Sequence, residues 1–188
     1  MGSSALNLPT SLLLHQDSYE DIRILARYET KPFYEAPYYA VLIGTSKWEI
    51  QLIHHKIYLK NPTPEIQHFV VSHGYNILSL NKLYRGENFE KRIGGGVILS
   101  HPETEIRNKK FPEKGGLGKF FKPLDGFFLS GPSLSVGIGK RFYPVRFLVF
   151  DIQGIFNISL AWIPISDGKA FVPNIALHFI IGTGFIYP

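Results

Sequence analysis

The sequence predicts an all-β protein, an eight-stranded antiparallel up-and-down β-barrel that spans a membrane. Along most of its 188 residues, large apolar side chains alternate with small or polar ones, and a repeat of two residues is that of a β-strand. The clearest stretch is residues 171–188, where Phe, Ile, Leu and Tyr on one face oppose Asn, Ala, His and Gly on the other. An apolar face outside and a polar face inside is the pattern of a membrane-spanning barrel strand.

Length and composition fit one domain without a transmembrane helix. The chain has a net charge of +5, 45% hydrophobic residues and no cysteine, which excludes disulfide bonds and thiolate metal sites. It contains no run of ~18 apolar residues, and its first residues lack the charged and apolar regions of a signal peptide. We expect an N-terminal lead segment at residues 1–20, either extended or plug-like, and a single barrel domain at residues 21–188.

Each predicted strand is a stretch of alternation that ends at a turn signal. Two prolines lie in the connection after the first strand, a Gly-Thr-Ser-Lys turn follows the second, and an Asn-Pro-Thr-Pro break follows the third. The consecutive glycines at residues 94–96 predict a bend, a bulge or the close approach of neighbouring strands. The strands are residues 21–29, 38–45, 48–59, 65–80, 89–101, 127–142, 145–163 and 171–188, and residues 102–126 are the longest irregular segment.

The connections alternate between short and long, and the aromatic alternation at the chain end stops at Tyr187. In these features the chain resembles small bacterial outer-membrane β-barrel proteins. The resemblance implies a monomer in the bacterial outer membrane, with both chain ends on the periplasmic side. It also implies outer-membrane lipid as a partner, with lipopolysaccharide as a further candidate, and a structural or surface-interaction role.

Polar residues on the predicted inward faces would fill the barrel. A barrel of about eight strands is just wide enough for side chains to fill it, so we expect it to be closed to solutes. Charges in such an interior must be paired or hydrogen-bonded. The predicted interior network consists of Arg23, Arg27, Glu29, Glu49, Gln51, His55, Ser72, Asn76, Asp151, Gln153, Asn157 and His178.

Residues near the long-loop rim support an alternative, catalytic function. His68, His101 and Ser133 lie near strand ends on that side, and Glu103 lies on the adjoining loop. A serine nucleophile, a histidine base and an orienting carboxylate can perform acyl transfer. In size and layout the chain is similar to the lipid A palmitoyltransferase and the lipid A deacylases. That similarity implies a lipid A-modifying acyl hydrolase or acyltransferase.

The same histidines, together with His55, are acceptable zinc ligands, but their spacing matches no standard motif. We therefore expect no metal site and no cofactor. Four basic residues of the long irregular segment could bind lipopolysaccharide phosphates, namely Arg107, Lys109, Lys110 and Lys114. No nucleic-acid-binding pattern accompanies this charge. If the chain is instead soluble, its apolar faces turn inward and a lipocalin-like binder of a small hydrophobic ligand becomes the expected function.

Overall fold

The computed structural model describes residues 1–34 and 37–186, without the side chain of Ser72. The aromatic chain end at Tyr187 therefore lies outside the described residues. Within this part of the chain, thirteen strand segments form one sheet in which every pairing is antiparallel. None of its helices has the length and hydropathy to cross a membrane. The prediction of an all-β antiparallel fold is confirmed.

The strands are more numerous than the eight that the sequence predicts. Two short 3-10 helices span Gly116–Lys119 and Lys122–Leu124. The strands are β1 (Gly2–Leu8), β2 (Thr10–Gln16), β3 (Ile22–Ala26), β4 (Tyr28–Glu29), β5 (Tyr39–Gly44), β6 (Trp48–His54), β7 (Ile57–Leu59), β8 (Ile66–Arg85), β9 (Glu90–Ile106), β10 (Lys109–Lys110), β11 (Phe128–Val145), β12 (Leu148–Ile165) and β13 (Gly168–Phe185).

The N-terminal segment is part of the sheet rather than a separate lead. β1 pairs with β13 from Gly2↔Ile181 to Leu8↔Ile175, and β2 pairs with the start of β13 and with β3. Pro9 separates β1 from β2, because proline has no N–H to donate to the ladder. Residues 2–16 bury Leu12 and Leu14 in the apolar core, and this burial is the reason that they join the sheet.

The long strands at the C-terminal half form a meander. β12 pairs with β13 over its whole length, from Leu148↔Phe185 to Ile165↔Gly168. The hairpin between β11 and β12 turns at residues 146–147, because β11 continues through Pro144, where the sequence predicts a turn. The irregular segment is also shorter than predicted. β9 extends to Ile106 and turns through Arg107 and Asn108, both at positive φ.

The buried face of the sheet changes character along the strands. At one end, which we call the apolar-core end, it carries Leu12, Ile22, Ile57, Ile106 and Ile163. At the other, which we call the polar-core end, the buried face carries polar side chains, Glu49, Gln51, Asn81, Glu90, Arg92, Ser135, Asp151, Gln153 and Asn157. The exposed face of the polar-core end is apolar, with Ile50, Leu80, Ile93, Leu134, Val136, Ile138, Ile152, Phe156, Ile158, Phe179 and Ile181.

Three charged residues of the predicted interior lie on the opposite face. Arg23, Arg27 and Glu29 are exposed, because Ile22, Ala26 and Tyr28 on β3 and β4 turn into the apolar core. The alternation was therefore identified in the right place but assigned to the wrong faces. Of the remaining predicted interior residues, Asn76 is buried but lies on the outer face beside His54. The structure places other members of the set on the buried face, namely Glu49, Gln51, His55, Asp151, Gln153, Asn157 and His178.

Charged residues at the polar-core end form one buried ion-pair network. Nη2 of Arg92 lies 2.8 Å from Oε1 of Glu90, and its Nη1 lies 3.5 Å from Oε1 of Glu49. Arg141 contacts Glu49, and its Nε lies 2.9 Å from Oδ2 of Asp151. Each buried charge therefore has an opposite charge beside it, as a charged interior requires.

Candidate functional site

The strand β8 bulges at residues 72–74. Val71 pairs with Pro102, and Tyr75 pairs with Ser100, so three residues of β8 face the single residue His101 on β9. Gly74 has a φ of 131°, a conformation that favours glycine because other residues adopt it only with strain. Bulges of this kind re-aim side chains and are common beside active sites. Here the bulge presents His73 next to His101.

The outer histidine cluster, His54, His73 and His101 with Asn76 and Glu103, lies on the exposed face of the sheet around this bulge. The rings of His73 and His101 are 4.7 Å apart between centroids, and Nδ1 of His73 lies 2.9 Å from Oε1 of Glu103. Nδ1 of His54 lies 2.7 Å from Oδ1 of Asn76, whose Nδ2 lies 3.4 Å from the carbonyl oxygen of His73. Contacts from β6, β8 and β9 thus converge at one place.

His101 is one of the buried members of this cluster, with His54 and Asn76. It is only 7% exposed because Phe127 packs on its ring at 5.0 Å between centroids. Its Nδ1 is buried without a hydrogen-bond partner among the described residues. His101 lies on β9 beyond the exposed apolar residues of that strand. Burial lowers the pKa of His101; the neighbouring His73 lowers it further, and Glu103 opposes the shift.

A polar pocket of about 400 Å³ opens beside the cluster. Glu103 lines it from the cluster side, together with Gln67, His68, Thr104, Glu105, Lys110 and Glu113. Three carboxylates, one lysine and one histidine make this pocket attractive to cations.

The inner histidine cluster, His55 and His178 with Asn7 and Asn174, lies on the buried face. His55 follows His54 on the chain, and the two rings point to opposite faces because successive strand residues do so. Nε2 of His55 lies 3.1 Å from Oδ1 of Asn7, and Asn174 donates to the same oxygen at 2.9 Å. The His55 and His178 rings are 5.0 Å apart between centroids. These contacts are those of polar side chains that fill the interior, although Nδ1 of His55 and Nε2 of His178 have no hydrogen-bond partner among the described residues.

Lys56 is another buried polar residue at this level of the sheet. It is 0% exposed, and its Nζ donates to the carbonyl oxygen of Tyr34 at 2.6 Å. Tyr38 donates from its hydroxyl to the carbonyl oxygen of Lys56 at 2.9 Å. These two hydrogen bonds link the segment before β5 to Lys56 in the short connection between β6 and β7, next to both histidine clusters.

The four predicted catalytic residues are not brought together. Ser133 pairs with Gly96, which is five positions from His101 on β9, a distance of roughly 16 Å at ~3.3 Å per residue. His68 is exposed and pairs with Glu105, four positions from His101, and so roughly 13 Å away by the same spacing. Of the predicted set, the structure brings together only His101 and Glu103. The residue that joins them, His73, was not predicted.

Two of the predicted binding residues are held by the protein itself. Arg107 donates to Oε1 of Gln16 at 3.2 Å, and Nζ of Lys109 lies 2.7 Å from Oδ2 of Asp167. Lys110 and Lys114 are exposed, and Nζ of Lys110 lies 3.8 Å from Oε1 of Glu113. A free four-cation surface for phosphates is therefore not assembled here.

Comparison of the chain with protein-family models, curated proteins and solved structures gives no match.

The two clusters differ in what they can do. By geometry, the inner cluster is buried with its side chains packed on one another, whereas the outer cluster has an adjoining pocket. The outer cluster contains two imidazoles and a carboxylate whose ligand atoms lie within 4.8 Å of one another, so it can hold a cation or pass a proton between its members.

Proposed function

We propose that this chain is an integral outer-membrane β-barrel protein, closed to solutes, with a structural or surface-interaction role. The observation that carries the proposal is the inversion at the polar-core end, where charged side chains are buried and large apolar side chains are exposed. Neither face of that end suits a protein surrounded by water, because exposed apolar patches of this extent mark contact with a partner or a membrane.

The strand pairings support closure of the sheet into a barrel. β8 pairs with β9, and pairings then run through β11, β12, β13, β1, β5 and β6 back to β8. This ring has eight positions, and β2, β3, β4 and β7 continue it at the apolar-core end. Among the described residues, these pairings give each of the eight strands a neighbour on both sides. A sheet that crosses the hydrocarbon layer needs such closure, because unpaired edges are costly there.

The exposed faces support a membrane layer at the polar-core end. On three neighbouring strands the apolar stretch ends just before the outer histidine cluster, with Leu52 before His54, Leu99 before His101 and Leu78 after Asn76. Beyond it, the exposed face of β3 and β4 carries charges. The apolar-core end therefore suits water, with an apolar interior and a polar exterior, and the bilayer boundary falls between the two ends.

The buried network supports the absence of a solute channel. The interior at the polar-core end is crossed by ion pairs between Arg92, Arg141 and three carboxylates, and Gln51 donates to Gln153 at 3.2 Å. A barrel of about eight strands has room for such side chains and for little else. A soluble binder of a hydrophobic ligand would need an apolar cavity, and this part of the interior is polar.

A pair of matched lysine substitutions tests the membrane proposal. Ile158 is 43% exposed at the polar-core end, and Leu25 is 61% exposed at the apolar-core end between Arg23 and Arg27. In lipid vesicles, Ile158→Lys should lower the free energy of unfolding by about 2–4 kcal/mol. Leu25→Lys should stay within about 0.5 kcal/mol of the parent, since that side chain faces water.

Equal effects of the two substitutions would contradict a bilayer around the polar-core end alone. The parent chain should also require detergent to stay in solution and should migrate differently on a gel before and after boiling. A chain that remains soluble and monomeric without detergent would overturn the proposal.

A further inference from the structure

We propose that His73, His101 and Glu103 bind one divalent metal ion, with zinc the best match. Two imidazole nitrogens and one carboxylate oxygen form a donor set that zinc accepts in catalytic sites, where a fourth position stays open to water or substrate. Within the described residues this is the only trio of potential ligands that meets as a group. The outer histidine cluster is thus a metal site rather than a set of polar fillers.

The geometry requires only a small contraction to bind the ion. The three ligand atoms lie within 4.8 Å of one another, whereas ligand bonds of about 2.0–2.2 Å in a tetrahedron place neighbouring ligand atoms roughly 3.4 Å apart. His73 and Glu103 are already closer than that, at 2.9 Å. His73 sits on the bulge and its side chain is 64% exposed, so its ring can adjust.

The burial of His101 is a further observation that suits a bound cation. Its buried Nδ1 has no hydrogen-bond partner in the part of the chain that the structure describes, and a buried polar atom left unsatisfied costs ~1–3 kcal/mol. A metal ion bound through Nδ1 would satisfy this nitrogen. Gly126 packs against the same ring, where a Cβ would overlap its Nε2 side, so the ring is held in place from the other side.

The surroundings favour a cation with an open coordination position. Glu103 also lines the polar pocket of about 400 Å³, and Glu113 and Glu105 add two more carboxylates there. Negative charge around the pocket raises the local concentration of cations. The pocket gives water or a substrate oxygen access to the metal from the side of Glu103.

A hydrogen-bonded His73–Glu103 pair without any metal is the competing explanation, and the chain offers a matched control for it. His15 and Asp21 form a similar pair at 2.8 Å, without a second histidine beside them among the described residues. If a histidine–carboxylate pair alone explains any zinc binding, Asp21→Asn should weaken it as much as Glu103→Gln does.

The experiment is a zinc titration of the purified full-length chain against a competing chromophoric chelator, with metal content measured after dialysis. The parent should bind one equivalent of zinc. Glu103→Gln and His101→Ala should each weaken zinc binding by more than about tenfold. Loss of a residue that only orients a metal ligand already costs about tenfold or more in affinity, so loss of a ligand itself should cost at least as much. Asp21→Asn and His15→Ala, which remove a carboxylate and a histidine outside the outer histidine cluster and its pocket, should bind as the parent does.

Cobalt in place of zinc provides a second readout. The absorption spectrum of the cobalt-loaded parent should show tetrahedral bands that Glu103→Gln, a nearly isosteric change, removes while gel migration stays that of the folded chain. Binding of no zinc by the folded parent, or equal losses in Asp21→Asn and Glu103→Gln, would overturn the proposal. These outcomes are independent of detergent dependence, so the metal site and the membrane proposal can fail separately.

Discussion

The buried ion-pair network makes a strong prediction for Arg92→Met. The Arg92 side chain is 2% exposed and lies between Glu49 and Glu90. Methionine fills most of its volume, so the main effect is the loss of a positive charge rather than a cavity. Removing one partner of a buried ion pair costs about 3–5 kcal/mol because the other partner is left uncompensated.

The remaining contacts place the expected loss near the lower end of that range. Glu90 keeps Arg85 at 3.1 Å, and Glu49 keeps Arg141. We therefore expect Arg92→Met to lower the free energy of unfolding by roughly 3 kcal/mol. Adding Glu49→Gln should recover about 1 kcal/mol or more, since it removes the charge that was left with fewer partners.

Unfolding in denaturant, followed by tryptophan fluorescence in detergent micelles or lipid vesicles, measures both changes. The control is Lys91→Met, at the neighbouring exposed position, which should cost no more than about 0.5 kcal/mol. A loss below about 1 kcal/mol for Arg92→Met, or no recovery in the double variant, would refute the assignment of Arg92 to a buried network.

Two further predictions use neighbouring or contrasting positions. A Cβ on Gly96 would overlap the Leu78 carbonyl oxygen and lie 2.7 Å from Cα of Ser79, whereas one on Gly95 would meet Leu134 at an ordinary 3.5 Å. Gly96→Ala should therefore lower the free energy of unfolding by about 3 kcal/mol. Gly95→Ala should be neutral or stabilising by up to ~1 kcal/mol. Equal effects of the two substitutions in denaturant unfolding would contradict this packing. Lys109→Met removes a largely exposed ion pair with Asp167, so its cost should stay below about 1 kcal/mol, and a larger value in the same assay would show that this pair is more than a surface contact.

The fold class could be predicted from the sequence because the period of two survives in almost every strand. The orientation of the strands could not, because alternation gives two faces without saying which one is buried. The charged face of Arg23 and Arg27 fits either water or a paired polar interior, and the barrel interpretation predicts the interior. The structure buries Ile22 and Ala26 instead, since the buried face changes from polar to apolar along the strands and no local pattern marks the change.

The candidate site was harder to predict than the fold. His101 and Glu103 stand two residues apart and both belong to the predicted catalytic set, but the contact with His73 depends on the bulge in β8. The bulge adds two residues between Val71 and Tyr75, and this shift turns His73 toward His101. Gly74 was the available signal, because a glycine between polar residues inside a strand indicates a bulge.

Substitutions in the two histidine clusters should have different effects when the free energy of unfolding and the zinc affinity are both measured. His55 is 0% exposed and packs against Tyr38, Tyr75 and His178. Because His55→Ala removes a fully buried ring and its contact to Asn7, we expect it to lower the free energy of unfolding by about 2–4 kcal/mol while leaving zinc affinity nearly unchanged.

Glu103→Gln should do the reverse. Its side chain is 22% exposed on the outer face, where no interior has to be filled, so its cost in stability should stay within about 1 kcal/mol while the zinc site is lost. Replacing a residue that only fills the interior lowers the stability of the protein. Replacing a residue that serves the chemistry of the site weakens zinc binding instead. A Glu103→Gln variant that unfolds as easily as His55→Ala and binds zinc as the parent does would assign both clusters to the core.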